Sequence, residues 1–284
     1  MIDARPMIGE LLAAATDQLE RAGIDDPRRE ALRIWSGLEG SPVAGVVLQQ
    51  RVLAAPEQAI RFDEAVRRRA AGEPLAYVTG WTGFRHLTLR CDRRALIPRP
   101  ETEGLVEAAL ARVHSGTAAD IGTGTGAIAL ALQDEGAFQR VFATELSPEA
   151  MALAAENIAA AGNSVTLLAG DLVAPLAGQS VDLLVANPPY LTEAEYDTLD
   201  RSVRDYEPAI ALVGGPDGLL LIRRLLAEAR DVVAAGGWIA LEVDTTRAHD
   251  CGRLAEAAGW LDVTVLDDLF GRARYLLARR GKAA

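Results

Sequence analysis

"ADIGTGTGAIALAL", Ala119–Leu132, runs a short apolar strand into a glycine-rich turn and out into the start of a helix. Gly122, Gly124 and Gly126 strip the turn of side chains, so the backbone can approach a ligand closely. The same alternation continues on both sides. Strands are predicted near Ala118–Ile121, Val141–Thr144, Val165–Ala169, Val181–Ala186, Trp238–Val243, Leu261–Leu266 and Arg274–Ala278. Helices near 102–113, 126–135, 148–161, 217–235 and 248–258 separate most of them. Residues 98–284 therefore read as an α/β doubly wound domain with a seven-stranded, mostly parallel sheet. Only "DDLFGRA" joins the last two strands, which is too short for a crossover, so that pair is expected to be antiparallel.

The chain upstream is different. Ile8, Leu11, Leu12, Ala15, Leu19 and Ala22 recur at three- and four-residue steps, the stripe of an amphipathic helix. "DPRREALRIWSGLEG" offers Asp26 as N-cap with Pro27 in the first turn, and "APEQAIRFDEAVRRRAAG" places Pro56 likewise, with Gly72 as a stop. Residues 1–73 thus read as a small all-helical domain. Residues 74–97, from "PLAYVTGWTGFRH" onward, are rich in β-branched and aromatic residues and alternate through Phe84, His86 and Thr88, which predicts a β-hairpin connector.

Composition narrows the class. Half of the 284 residues are apolar and 24% are charged, as in a globular protein, and no apolar run approaches the roughly 20 residues of a membrane span. The N-terminal stretch is acidic from Asp3 and helical in pattern, unlike a secretory signal, so a cytoplasmic protein is expected. Cys91 and Cys251 belong to no CxxC and read as free thiols; the three histidines share no ligand spacing, so no metal is assigned. The net charge of −11 argues against direct nucleic-acid binding, and the run Arg67-Arg68-Arg69 points its side chains in different directions if helical.

Three strand ends carry candidate ligand groups. The turn Gly122-Thr123-Gly124-Thr125-Gly126 is followed by Glu145, about 20 residues on at the end of the next strand, where a carboxylate can hold ribose hydroxyls. A dinucleotide and S-adenosylmethionine both fit that pattern. Asp171 and Leu172, after the third strand, can meet the amine and the face of an adenine; Asp171 serves equally well as a plain cap. The fourth strand ends in Asn187-Pro188-Pro189-Tyr190. Asn187 Oδ1 and the Pro188 carbonyl can accept both hydrogens of a planar –NH₂ group, and the Tyr190 ring can face the charge that develops on its nitrogen.

"NPPY" resembles the amino-methyltransferases that use S-adenosylmethionine. With "EPLAYVTG", "LIPRPETE", "DIGTGTGAIALAL", "VRDYEPAIALVGGPDGL" and "DLFGRARYLLARR", the chain from about residue 73 to its end resembles the peptide chain release factor glutamine N5-methyltransferases. The resemblance implies a class I S-adenosylmethionine-dependent methyltransferase fold (Rossmann-like). It implies a cofactor site lined by Gly122–Gly126, Glu145, Leu172 and Asn187, and a clamp, Asn187–Tyr190, for the glutamine of the Gly-Gly-Gln tip of class I release factors. S-adenosylhomocysteine would be the product. A monomer is expected, with the helical N-terminus and the hairpin docking the release factor. Glu145 stands where the family commonly has Asp, and "LEVD", Leu241–Asp244, departs from the glycine- or histidine-ended form; no catalytic role is assigned to it. Two rivals share the –NH₂ chemistry. A glutamine methyltransferase of a large-subunit ribosomal protein is disfavoured by "IPRPETE", where that group reads more like "VPRSP"; a DNA adenine methyltransferase is disfavoured by the acidic chain. A non-catalytic nucleotide-binding module is the third alternative.

Overall fold

The computed structural model describes residues 5–162 and 164–282; the acidic start at Asp3 lies outside them. The helical part comprises α1 (Ile8–Arg21), α2 (Pro27–Glu39), α3 (Val43–Leu48), α4 (Pro56–Ala70) and α5 (Leu75–Thr79). A two-stranded hairpin follows, β1 (Trp81–Phe84) and β2 (Leu87–Arg90). Then come α6 (Pro100–Leu110), β3 (Ser115–Ile121), α7 (Ala127–Glu135), β4 (Ala137–Glu145), α8 (Pro148–Ala161), β5 (Thr166–Ala169) and β6 (Val181–Ala186). Two short helices, α9 (Glu193–Asp197) and α10 (Arg201–Arg204), precede α11 (Leu220–Val232), β7 (Val233–Glu242), α12 (Ala248–Ala257), β8 (Trp260–Asp267) and β9 (Ala273–Arg280).

Two compact units result. One runs to Trp81 and takes back Asp200–Tyr206; the other holds Thr82–Leu199 and the chain from Glu207. In the first, Ile8, Leu12, Ala15 and Leu19 of α1 are buried, as the helical stripe predicts, and Trp35 meets Phe62 edge-on with ring centroids 5.0 Å apart. Asp26 occupies the N-cap of α2, but in a left-handed conformation (φ 48°) and with no side-chain cap bond. The arginine run does diverge: Arg67 pairs with Asp63, Arg68 with Glu73 and Arg69 with Glu30.

The stretch predicted as β from residue 74 begins as a helix instead. Pro74 opens α5, Gly80 closes it at φ 79°, and Tyr77 and Val78 are buried, so packing overrides their strand preference. The hairpin proper starts at Trp81. Its turn falls at Arg85 (φ 51°), so Phe84 and Leu89 are the buried residues in place of a Phe84–His86–Thr88 alternation.

In the second unit the strand order is β5-β4-β3-β6-β7-β9-β8, parallel except for β9, which pairs antiparallel with both neighbours. The final antiparallel pair is thus as expected, with β9 inserted between β7 and β8. Apolar clusters pack on both faces, and the turn helix α7 is alanine-rich and buried from Ala127 to Leu132. Between β3 and β6 the strand order reverses. The register Ile121↔Ala186 sets the glycine turn and Asn187 side by side at the carboxyl ends of these strands, where open α/β sheets bind their ligands.

Candidate active site

A crevice opens at this switch point. Gly122, Gly124, Glu145, Asp171, Leu172, Asn187, Pro188 and Pro189 line it. The turn is possible because Gly122, Gly124 and Gly126 all sit at positive φ (70°, 57° and 85°), and because Gly122 and Thr123 both donate to the Thr144 carbonyl. Thr123, Thr125 and Gly126 are structural parts of it. Thr123 Oγ1 donates to Asp120, the Thr125 carbonyl accepts from Asn157, and Gly126 is the N-cap of α7.

Asp120 organises the turn from below. Its Oδ2 accepts from Thr123 Oγ1 (2.5 Å) and from the Ala129 amide (3.1 Å), while Oδ1 is buried with no partner. Complete burial pushes this carboxyl up to about 7, against the pull of those two donors.

Three backbone amides converge on Glu145. Gly124 donates to Oε2, and Leu146 and Ser147 donate to Oε1, each at 2.9 Å. They fix the carboxylate facing the crevice, where about four acceptor sites leave it capacity beyond these three bonds. Asp171 is held by Arg224 of α11 at 2.7 Å. Leu172 adopts φ 45°, a left-handed conformation that a branched side chain enters only when its surroundings hold it there, and its side chain packs on the core.

The Asn187-Pro188-Pro189-Tyr190 loop is braced from behind. Leu191 donates to the Leu212 carbonyl at 3.0 Å, and Gly214 donates back to Leu191 at 2.8 Å. Asn187 Nδ2 donates to Thr102 Oγ1 (3.1 Å), and Thr102 Oγ1 donates to Glu242 Oε2 (2.7 Å). Tyr190 is not a wall of the crevice: its ring packs on the apolar core, and its hydroxyl lies 3.4 Å from Glu242 Oε1. Burial raises the Glu242 carboxyl, opposed by the Thr102 hydrogen bond and the charge of Arg274.

Glu242 and Thr102 are the residues the sequence reading leaves without a role. Glu242 lies in "LEVD" and Thr102 in "IPRPETE"; the only signal is a Glu at a strand end, and nothing in the linear order ties it to Asn187. Glu207 is similarly hidden: it is buried, accepts from the Ile97 amide and pairs with Arg99 at 2.6 Å, pinning the segment before α6 to the crevice wall at Pro208. Cys91 and Cys251 are free and buried, which pushes both thiols up to about 12. Among the described residues, no group of three or more His, Cys, Asp or Glu can hold a metal ion, and no helix is long and apolar enough to cross a membrane.

Comparison with known proteins places this arrangement. The family model described as PrmC N-terminal domain matches residues 10–80, and the one described as Methyltransferase small domain matches residues 101–206. The release factor glutamine methyltransferase of Deinococcus radiodurans is 40% identical over 95% of this chain and 98% of its own length. That of Moorella thermoacetica is 43% identical over 95% of this chain and 98% of its own. A methyltransferase from Pyrococcus furiosus of known structure shares the fold, with a TM-score of 0.52 at 21% identity over 68% of this chain and 88% of that one. Both relatives match over 95% of this chain, and on that likeness the chain belongs to the release factor glutamine methyltransferase family.

Proposed function

We propose that this chain methylates the side-chain amide nitrogen (N5) of the glutamine in the Gly-Gly-Gln tip of class I peptide chain release factors, using S-adenosyl-L-methionine. The observation that carries this reading, beyond family membership, is Asn187 and Pro188 lining the same crevice as Gly122 and Glu145. When bound, S-adenosylmethionine supplies an electrophilic methyl carbon on a sulfonium. Glu145 would hold its ribose, Asp171 and Leu172 its adenine, and the backbone of Gly122–Gly124 would approach it closely. The residues present fit that group: the positive-φ Gly122 and Gly124 present no side chain to the crevice, and a fixed carboxylate faces it.

An amide nitrogen is a poor nucleophile, because its lone pair is delocalised. Asn187 Oδ1 and the Pro188 carbonyl can accept both of its hydrogens, orienting the nitrogen and raising its electron density. Proline at 188 and 189 removes competing N–H donors from the loop. Leu172, Ile210 and Leu225 give the crevice apolar walls. No strong base is needed: the methylated nitrogen is cationic and acidic, and Asn187 and Pro188 hold its protons until water takes one. Tyr190 contributes by supporting the loop, its ring packed on the core and its hydroxyl on Glu242. Action in the cytoplasm as a monomer, with the helical unit docking the release factor, completes the reading.

The test is direct. The chain is incubated with S-adenosylmethionine and a class I release factor, a large-subunit ribosomal protein or adenine-containing DNA, and the added methyl group is located by mass spectrometry. A single methyl on the Gly-Gly-Gln glutamine is the expected result; label only on the ribosomal protein or on DNA would refute it.

A further inference from the structure

Asn187, Thr102 and Glu242 are brought together from the end of β6, the first turn of α6 and the end of β7, with 85 and 140 residues separating the bonded pairs. Thr102 is 5% exposed and Glu242 1%, so water does not compete for these bonds. The direction of the chain follows from its far end. Glu242 accepts at both oxygens, Oε2 from the Thr102 hydroxyl and Oε1 from that of Tyr190, so the Thr102 hydroxyl spends its one proton on Glu242. Thr102 then has only lone pairs to offer Asn187, and they draw in the Nδ2 end of the amide.

This matters because the two ends of an asparagine amide are nearly identical in shape and opposite in hydrogen bonding. Flipped, Asn187 would turn two N–H donors on a substrate –NH₂ group, and donor would face donor. With Nδ2 tied to Thr102, Oδ1 is left as the acceptor. A carboxylate buried solely for stability would be replaceable by an apolar residue of similar volume, whereas here it sets a polarity. Tyr190 and Thr102 contact it directly, and Arg274 and Tyr275 of β9 and Glu101 of α6 are the other charged or titratable groups around it.

We propose that Glu242 and Thr102 are positioning residues, which hold Asn187 in the one amide orientation that accepts the hydrogens of the substrate glutamine. The inference rests on the glutamine-methylation reading. It assigns a role to "LEVD", whose glutamate supplies the acceptor at the far end of the relay.

The full chain is assayed for methyl transfer to a release factor, with S-adenosylmethionine and the acceptor each varied. Thr102→Val should lower kcat on the order of 10–100-fold, as loss of an orienting partner does elsewhere, and leave the KM for S-adenosylmethionine within about twofold. Thr102→Ser, which keeps the hydroxyl, should restore kcat to within a few-fold of wild type. Added to Asn187→Ala, Thr102→Val should cost nothing further, since it acts only through Asn187. Glu242→Leu, checked for folding by thermal unfolding and cofactor binding, should match Thr102→Val. Wild-type kcat in Thr102→Val and Glu242→Leu, or an undiminished Thr102→Val effect in the Asn187→Ala background, overturns the inference alone. A wild-type chain inactive on release factors overturns the glutamine reading and this inference with it.

Discussion

Gly214 lies so close to the Asn187–Tyr190 loop that a Cβ on it would stand 2.3 Å from the Pro189 carbonyl oxygen. Gly218 stands in the same relation to the Tyr190 carbonyl, also at 2.3 Å. The "VGGPDG" segment is therefore a backing plate for the loop, built from residues with no side chain to keep the two backbones apart. Gly214→Ala must push the loop or its own backbone aside, because a carbonyl cannot rotate away as a side chain can. The expected outcome is a kcat reduced on the order of 10²-fold, from misplacement of the –NH₂ clamp, with cofactor affinity retained. Steady-state kinetics alongside calorimetric titration of S-adenosylmethionine would check this, and a normal kcat would contradict it.

Asn187→Ala removes the side-chain acceptor itself. By analogy with other preorganised polar groups, kcat should fall by about 10²–10³, and single-turnover measurement would place the loss in the chemical step. Tyr190→Phe should stay within a few-fold of wild type, because the hydroxyl makes only a 3.4 Å contact with Glu242 while the ring supplies the packing. A large loss in Tyr190→Phe would show that the hydroxyl acts directly.

Asp120 links stability to pH. Its carboxyl is raised from 3.8 to about 7 by burial. Below about pH 4 the native and unfolded states both hold this proton. Between about 4 and 7 only the native state does, so the native state binds more protons and stability falls as pH rises through that window. Asp120→Asn cannot titrate. The stability of the variant relative to wild type should therefore rise from pH 4 to pH 7, by on the order of a few kcal/mol. Urea unfolding at a series of pH values would show it, and a difference independent of pH would refute it.

The helical unit leaves Leu48 and Ile60 86% and 66% exposed, alongside Val47 and Val52. If this unit docks the protein substrate, Leu48→Glu with Ile60→Glu should raise the KM for a full-length release factor several-fold while leaving methylation of a short Gly-Gly-Gln peptide unchanged. Equal effects on both substrates, or none on either, would remove the docking role.

Much of the catalytic unit is legible in the linear chain, because its elements are local. β6 falls at Val181–Ala186 and α8 at Pro148–Ala161 as expected, since unbroken apolar runs, proline starts and glycine stops act over a few residues. The glycine turn and the loop after β6 are legible for the same reason: each is a contiguous run whose backbone requirements select its residues. "PLAYVTG" shows the opposite case. Its strand-forming residues become a helix because Tyr77 and Val78 find a buried face there, and no local pattern announces that.

The linear order is enough for the α/β class, the antiparallel end of the sheet, and which residues stand at the strand ends. Tertiary structure alone decided which of them share a crevice and which stand behind it. It moved Tyr190, Thr123 and Thr125 into supporting positions and brought Thr102 and Glu242 up behind Asn187. The physical reason is that hydrogen-bond direction is a property of a closed chain of partners. Asn187 can be recognised as an acceptor from its neighbours in sequence, but which end of its amide faces the substrate depends on a buried carboxylate that only the sheet order places there.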